Sequence, residues 1–301
     1  MRGVLLSNNL IVISLGIIFS IILHFARSLQ RLGIDSYDRL LANISGKTPH
    51  EKLSKNDLVY ILGIVLSNAC VVFVILATRY GTISYFTAMY GIGLLPMLLF
   101  TRYVMHEKTS FHNWLGIIII IIGSLLLGIA ARESTPAVME MVNLTNLIYL
   151  LLGIIILTPI LLKIAVRSKH IFIDAVISGL IAGLIACLDP ILKAAGLNFS
   201  FHSSVFPTHP VGWVLFILSF VASTTSLLIT QHAYSRRVNA SQFIPHYNAT
   251  FIAMPILIQM IILPDYLPGK LEIIGVTVII AGIIIFSDKE RRNTTKYLGN
   301  G

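Results

Sequence analysis

In 301 residues this chain carries 56% hydrophobic and only 12% charged side chains, where a soluble domain carries about 25% charged. That balance excludes a separate soluble domain of ordinary size and makes the chain one membrane domain. The formal net charge of +9 does not mark a nucleic-acid binder, because the basic residues lie in short clusters between apolar runs rather than on one patch.

The first apolar window, 9–28, follows Arg2 as a secretory leader would. It runs to about Phe25 without a small-residue exit, so it reads as a retained helix. The polar connection 29–57 sets Lys47, Lys52 and Lys55 among Asp35, Asp38, Glu51 and Asp57, the pattern of a solvated cytoplasmic loop. Windows near the length that crosses about 30 Å of hydrocarbon follow at 58–78, 83–102, 112–131, 146–166, 171–196, 211–233, 242–263 and 271–287. Together they predict an all-α polytopic membrane protein of about nine helices, with ten helices in a 5+5 arrangement as the alternative.

Basic residues are retained in the cytoplasm. Counted on alternate sides of the spans, Arg2, Arg79, Arg132, Lys193 and Lys270 fall on one side and every other Lys and Arg on the other. The bias predicts a multi-pass protein of the cell membrane with its N-terminus outside and its C-terminus cytoplasmic. Cys70 and Cys187 both lie inside apolar spans, so no disulfide framework is expected. Asn143-Leu-Thr and Asn198-Phe-Ser match the glycosylation pattern on the expected outer side.

The two ends of the chain share features. Placing LGIIFSIILHFARSLQRLGID, from Leu15, over SGLIAGLIACLDPILKAAGLN, from Ser178, matches Gly16 with Gly179 and Gly33 with Gly196. Small residues recur four apart in both, the spacing that lets helices approach closely in lipid. Downstream, Gly116 matches Gly275, Gly123 matches Gly282 and Pro96 matches Pro255 at one shared offset. Repeat one is then 9–131 and repeat two 171–287. The single linking helix, 146–166, forces the two to insert with opposite orientations, the inverted-topology arrangement of secondary transporters.

The segment ATRYGTISYFTAMYGIGLLPMLLFTRYVMHEKTSFHNWLGIIIIIIGSLLLGI, from Ala77 to Ile129, resembles the core of the drug/metabolite transporter superfamily, EamA type. Its marks are a short turn between two helices, a mid-span proline, the Glu107-Lys108 pair and a Gly-rich closing helix. A second copy begins HAYSRRVNASQFIPHYNATFIAMPIL at His232, with Asp265 near the place of the glutamate. The helix count, the long polar loop and THPVGWVLFILSFVAS, from Thr208, are most similar to the NIPA-like magnesium transporter branch. That branch's acidic residue in the second helix falls at about Asn68 or Ala69, and neither is a carboxylate. The resemblance implies substrate contacts on the third and eighth helices.

Candidate site residues follow from polarity inside apolar spans. Asp189 is the only acidic residue well inside one, and it reads either as a ligand facing a cavity beside Pro190 or as an interfacial residue snorkelling with Lys193. Asn68 is a lining candidate because an amide must find several partners. The run Ser223-Thr224-Thr225-Ser226 reads as interhelical hydrogen bonding. Tyr85 suits the interfacial belt, whereas Tyr90, His246, Tyr247 and Asn248 lie deeper and join the substrate-binding set. Pro96, Pro190 and Pro255 are candidate hinges.

No zinc motif, nucleophile elbow, P-loop or dinucleotide loop is present, so neither an enzyme, a cofactor nor a metal centre is expected. The expectation is a permease moving a small polar metabolite through a cavity between inverted repeats. Divalent cation transport and a non-transporting membrane scaffold are the alternatives. The partners are then the small-molecule or ion substrate and the lipid bilayer, with a homodimer admitted.

Overall fold

The computed structural model describes residues 2–37, 39, 54–80, 86, 88–107, 109–133, 142–168, 170–198, 206–263 and 266–298. The chain is an all-α polytopic membrane protein. The described residues form ten α-helices: α1 (Arg2–Leu32), α2 (Lys55–Ala69), α3 (Val71–Tyr80), α4 (Leu94–Tyr103), α5 (Phe111–Glu133), α6 (Leu144–Arg167), α7 (Ile171–Asn198), α8 (Pro210–Ser235), α9 (Ala240–Ile262) and α10 (Lys270–Leu298). Among the described residues six helical stretches are long and apolar enough to cross a membrane by length and composition: Leu10–Leu32, Lys55–Ala77, Phe111–Ala130, Leu144–Arg167, Ile171–Leu197 and Pro210–Ser235.

Each apolar window of the sequence coincides with helix, but two are interrupted. The second breaks into α2 and α3 at Cys70, just after Asn68 Nδ2 donates to the Ile64 carbonyl at 2.8 Å, a back-bond that competes with the helical ladder. The third contains a 3-10 turn, Met89–Gly93, preceded by helical Phe86 and Ala88 and followed by α-helix from Leu94. Pro96 therefore stands in the first turn of α4, where its missing N–H costs no intrahelical bond. Sequence 29–37 is not the solvated loop its polarity suggests, since Leu29, Gln30, Ile34 and Ser36 are buried. Its far end is fixed by a capping box at α2, in which Ser54 and Asp57 bond each other's backbone.

Glycines set the helix pairs. A Cβ at Gly116 would lie 2.7 Å from the Gly282 carbonyl, and one at Gly282 would lie 2.9 Å from the Gly116 carbonyl. Gly123 and Gly275 stand in the same mutual relation, at 2.8 and 3.1 Å. Backbones this close are what small residues permit in lipid. The contact pairs are reciprocal: exchanging the sequence-matched glycines, Gly116 for Gly275 and Gly282 for Gly123, turns one pair into the other.

The opening helices of the two halves dock alike. Gly16 of α1 meets the Phe86 carbonyl and Met89 Cβ, while Gly179 of α7 meets the Phe243 carbonyl and His246 Cβ. One turn on, Ser20 Oγ donates to the Tyr90 carbonyl at 2.6 Å, and Gly183 packs on the Tyr247 carbonyl. Phe86 and Tyr90 thus correspond in space to Phe243 and Tyr247, a match two residues displaced from the one that aligns Pro96 with Pro255. The 3-10 turn lies just between these two registers.

The packing predicts opposite outcomes at two glycines. Gly116→Ala places its methyl 2.6 Å from Phe286 Cβ as well as on the Gly282 carbonyl, an overpacking that costs about 1–3 kcal/mol. Gly153→Ala in α6 meets nothing within 4 Å and leaves stability unchanged or raised. Thermal unfolding of the two purified variants in one detergent checks the contrast.

Candidate functional site

Where α2 and α3 lean on α1 instead of packing along α8, a cavity of about 280 Å³ opens between the two halves of the chain. From the first half it is lined by Phe19 and Arg27 of α1, Phe86, and Ser67, Asn68, Cys70 and Val74 at the break between α2 and α3. From the second half come Ala186, Asp189, Pro190 and Lys193 of α7, Phe220, Ser223, Thr224 and Thr230 of α8, and Tyr247 and Phe251 of α9. Asn68, Ser223 and Thr224 are exposed, so the rim between α2 and α8 is polar and open.

Asp189 and Lys193 face this space as an ion pair one helical turn apart, joined through Oδ1 and Nζ. Lys193 does not snorkel: its side chain is 0% exposed, against 14% for Asp189, and its Nζ lies 4.5 Å from the Phe220 ring centroid. Pro190 removes the helical donor of the residue four before it, Ala186. Both residues line the cavity, so α7 is locally unladdered where it meets polar space.

Arg27 supplies a further charge. It is 8% exposed, its guanidinium carbon sits 3.7 Å over the Tyr247 ring, and Nη1 has no hydrogen-bond partner among the described residues. One end of the cavity is sealed beyond it. Gln231 Nε2 donates to Gln30 Oε1 at 2.6 Å, Gln30 Nε2 donates to the Gly63 carbonyl at 3.0 Å, and Tyr60 Oη donates to Gln231 Oε1 at 3.1 Å. Arg31 Nε donates to the Val238 carbonyl at 3.0 Å. Glu107 accepts from the amides of Ala240 and Ser241 at 3.2 and 2.9 Å, so it caps the N-terminus of α9, where negative charge is favoured.

Of the residues singled out by sequence, Asp189, Asn68 and Tyr247 come together around the cavity, with Pro190 beside them. Tyr90, His246 and Asn248 do not line it. Tyr90 lies one layer behind, its ring 4.2 Å from Phe251 and 4.9 Å from His24. Asn248 Nδ2 bonds His24 Nε2. This assigns the tautomer, since His24 Nδ1 is 2.6 Å from the Ser20 carbonyl and must donate to it. His246 Nδ1 donates to the Gln242 carbonyl at 2.7 Å, and its ring lies edge-on to Phe286 on the side of α10. Pro255 is buried within α9, and Pro96 is exposed on α4.

The Ser/Thr run divides by face. Thr225 back-bonds Val221, whereas Ser223, Thr224 and Ser226 line the cavity, Ser226 also bonding the Ala182 carbonyl on α7 at 2.8 Å. Sequence reasoning passed over Arg27, which it counted among the loop-side basic residues. The signal was the spacing: His24, Arg27 and Arg31 recur at three and four, one helical face. Asn143 is the N-cap of α6, its side chain accepting from the Asn146 amide. Tyr85, Lys108 and Asp265 lie outside the described residues. Among the described residues no cluster of three or more His, Cys, Asp or Glu side chains is placed to hold a metal.

A stretch of 40 residues, 13% of this chain, is 50% identical to the probable 4-amino-4-deoxy-L-arabinose-phosphoundecaprenol flippase subunit ArnE of Aeromonas hydrophila subsp. hydrophila. A match of the same length is 52% identical to the protein of the same name from Aeromonas salmonicida. The chain spans about a third of the length of these curated relatives, 35% of each. No family model matches the chain, and no solved structure matches it.

The ion pair supports a double-mutant cycle. Lys193→Met strands a buried carboxylate and costs roughly 3–5 kcal/mol, while Asp189→Asn with Lys193→Met recovers most of that loss. Thermal unfolding of the four proteins in one detergent reads the coupling, and additive losses would show that the two charges act independently.

Proposed function

We propose that this protein is a secondary transporter of the drug/metabolite transporter type, an EamA-like permease whose two halves are inverted repeats around the cavity. The observation that carries the reading is the cavity, a partly polar space between the halves with charged groups contributed by both: Arg27 from α1, Asp189 and Lys193 from α7. The reciprocal glycine contacts of α5 with α10, and the like docking of α1 and α7, are the packing expected of two copies related by a two-fold axis. A tightly packed scaffold has no use for such a space. The substrate is a small polar metabolite, the protein is a carrier rather than an enzyme, and a gradient or simple facilitation drives it.

Charge weighs against the magnesium alternative. The cavity's carboxylate, Asp189, is already compensated by Lys193, and Arg27 leaves the lining positive, which repels a dication. A second reading has a specific support. The polar rim at Asn68, Ser223 and Thr224 is exposed between α2 and α8, and the Aeromonas proteins that share the short matching stretch are named for a lipid-linked substrate. In that reading the polar head enters sideways from the bilayer. With the basic loops cytoplasmic, the seal at Gln30, Tyr60 and Gln231 closes the cavity to the cytoplasm in this conformation.

Flux into proteoliposomes, screened over a broad metabolite panel, tests the transporter. Ser223→Trp fills the cavity from its rim and is expected to reduce flux to that of empty liposomes with an unchanged melting temperature. Undiminished flux in this variant would move the pathway elsewhere, and absence of flux for every solute would leave the scaffold.

A further inference from the structure

We propose that Arg27 anchors an oxyanion subsite in the cavity, and that the transported molecule carries a phosphate or carboxylate group that pairs with this guanidinium. The inference deepens the transporter reading and rests on it for its physiological meaning.

An arginine held inside apolar helices is costly unless something negative meets it. Among the described residues no carboxylate is paired with Arg27. Asp189, the acidic residue lining the cavity, is joined to Lys193. The buried carboxylates elsewhere are committed: Asp174 to Arg236 at 2.6 Å, Asp57 to Ser54 and Arg39, and Glu272 to Tyr266 and the Gly269 amide. Glu107 is spent on the α9 amides.

The guanidinium carbon of Arg27 lies 3.7 Å from the Tyr247 ring centroid. Such a contact attracts the cation to the ring without using up every guanidinium N–H. Nη1, buried and without a partner among the described residues, is such a donor. Arg27 thus lines the cavity and carries a buried donor that has no partner among the described residues. A planar fork matches carboxylate and phosphate oxygens in a way that a spherical halide cannot. Ser67, Asn68, Ser223 and Thr224 supply neutral hydrogen-bonding groups for the remainder of the molecule.

The test uses the purified full-length protein in a neutral detergent. Thermal unfolding is followed with sodium phosphate, glycerol 3-phosphate or acetate, each against sodium chloride at equal ionic strength and against glycerol. A saturable rise with at least one oxyanion, absent with chloride and glycerol, is expected. Arg27→Gln should weaken that binding roughly thirtyfold or more, and Arg27→Lys, which keeps the charge but not the fork, should weaken it less. If Arg27→Gln does not fold, the comparison of wild type with Arg27→Lys decides.

A second arm compares phosphatidylcholine nanodiscs with and without phosphatidic acid. Stabilisation there that Arg27→Lys or Arg27→Gln weakens assigns a lipid headgroup; a response confined to the soluble anions assigns a free metabolite. No oxyanion response in either arm, or equal responses in wild type and variants, overturns the subsite. Flux is scored separately. Anion binding without flux of any solute removes the transporter and leaves the subsite, whereas flux of a neutral solute without oxyanion binding does the reverse.

Discussion

One face of α1 has to carry polar side chains through the interior of an apolar bundle, and the rest of the structure is arranged around satisfying them. Ser20, His24, Arg27, Gln30 and Arg31 follow one another along that face at helical spacing. In lipid none of them could be left toward the hydrocarbon without a cost of several kcal/mol. Instead each is met from another element. Ser20 reaches the Tyr90 carbonyl, His24 meets Asn248, Arg27 lies on Tyr247, Gln30 is held by Gln231, and Arg31 reaches the Val238 carbonyl. Four of these five contacts cross from the first half of the chain to the second, which makes α1 the seam between them.

Polar satisfaction explains where the halves meet, and small residues explain how closely. The glycine pairs on α5 and α10 bring backbone against backbone, and dispersion then holds two helices that lipid gives no hydrophobic reason to associate. No such pairing joins α2 to α8. The gap left there becomes the cavity, and its two walls carry the two interrupted ladders: the turn at Cys70 on one side and the carbonyl freed by Pro190 on the other. Irregular backbone at membrane depth is tolerated where it borders polar space. A carboxylate followed by a proline inside α7 is acceptable for the same reason.

Much of the fold was legible because apolar length is a long-range property that survives local error. The windows fell on helices, and the matched glycines proved to be contact positions. What could not be read was which face of a helix a polar residue occupies. Tyr90, His246 and Asn248 carry the same composition signal as Tyr247, but only Tyr247 points into the cavity. His246 lies one position before Tyr247, about 100° away around α9, and meets α10 instead. Arg27 failed for the opposite reason. Proximity to a span end makes an arginine look like a topological anchor, and the helix in fact continues to Leu32. Lys193 was likewise visible as the partner of Asp189, but whether that pair is wet or buried depends on Phe220 and the neighbouring helices, which sequence does not place.

The seal and the scaffold differ in how easily they could be undone. The cavity is closed at one end by neutral hydrogen bonds among Gln30, Tyr60, Gln231 and the Gly63 carbonyl, with Arg31 and Glu107 adding charge-assisted bonds to backbone. Side-chain bonds between helices in a membrane average only about 0.6 kcal/mol, because the alternative state also finds partners. A handful of them sums to the few kcal/mol that separate two conformations of one protein. The interdigitated backbones of α5 and α10 offer no such cheap alternative, since separating them exposes glycine grooves that lipid tails fill poorly. A rigid pair beside a weakly fastened seam is the mechanical division that the proposed transporter needs for rocking about a central site. In that proposal the moving contacts lie along α1, on the helix that also carries Arg27.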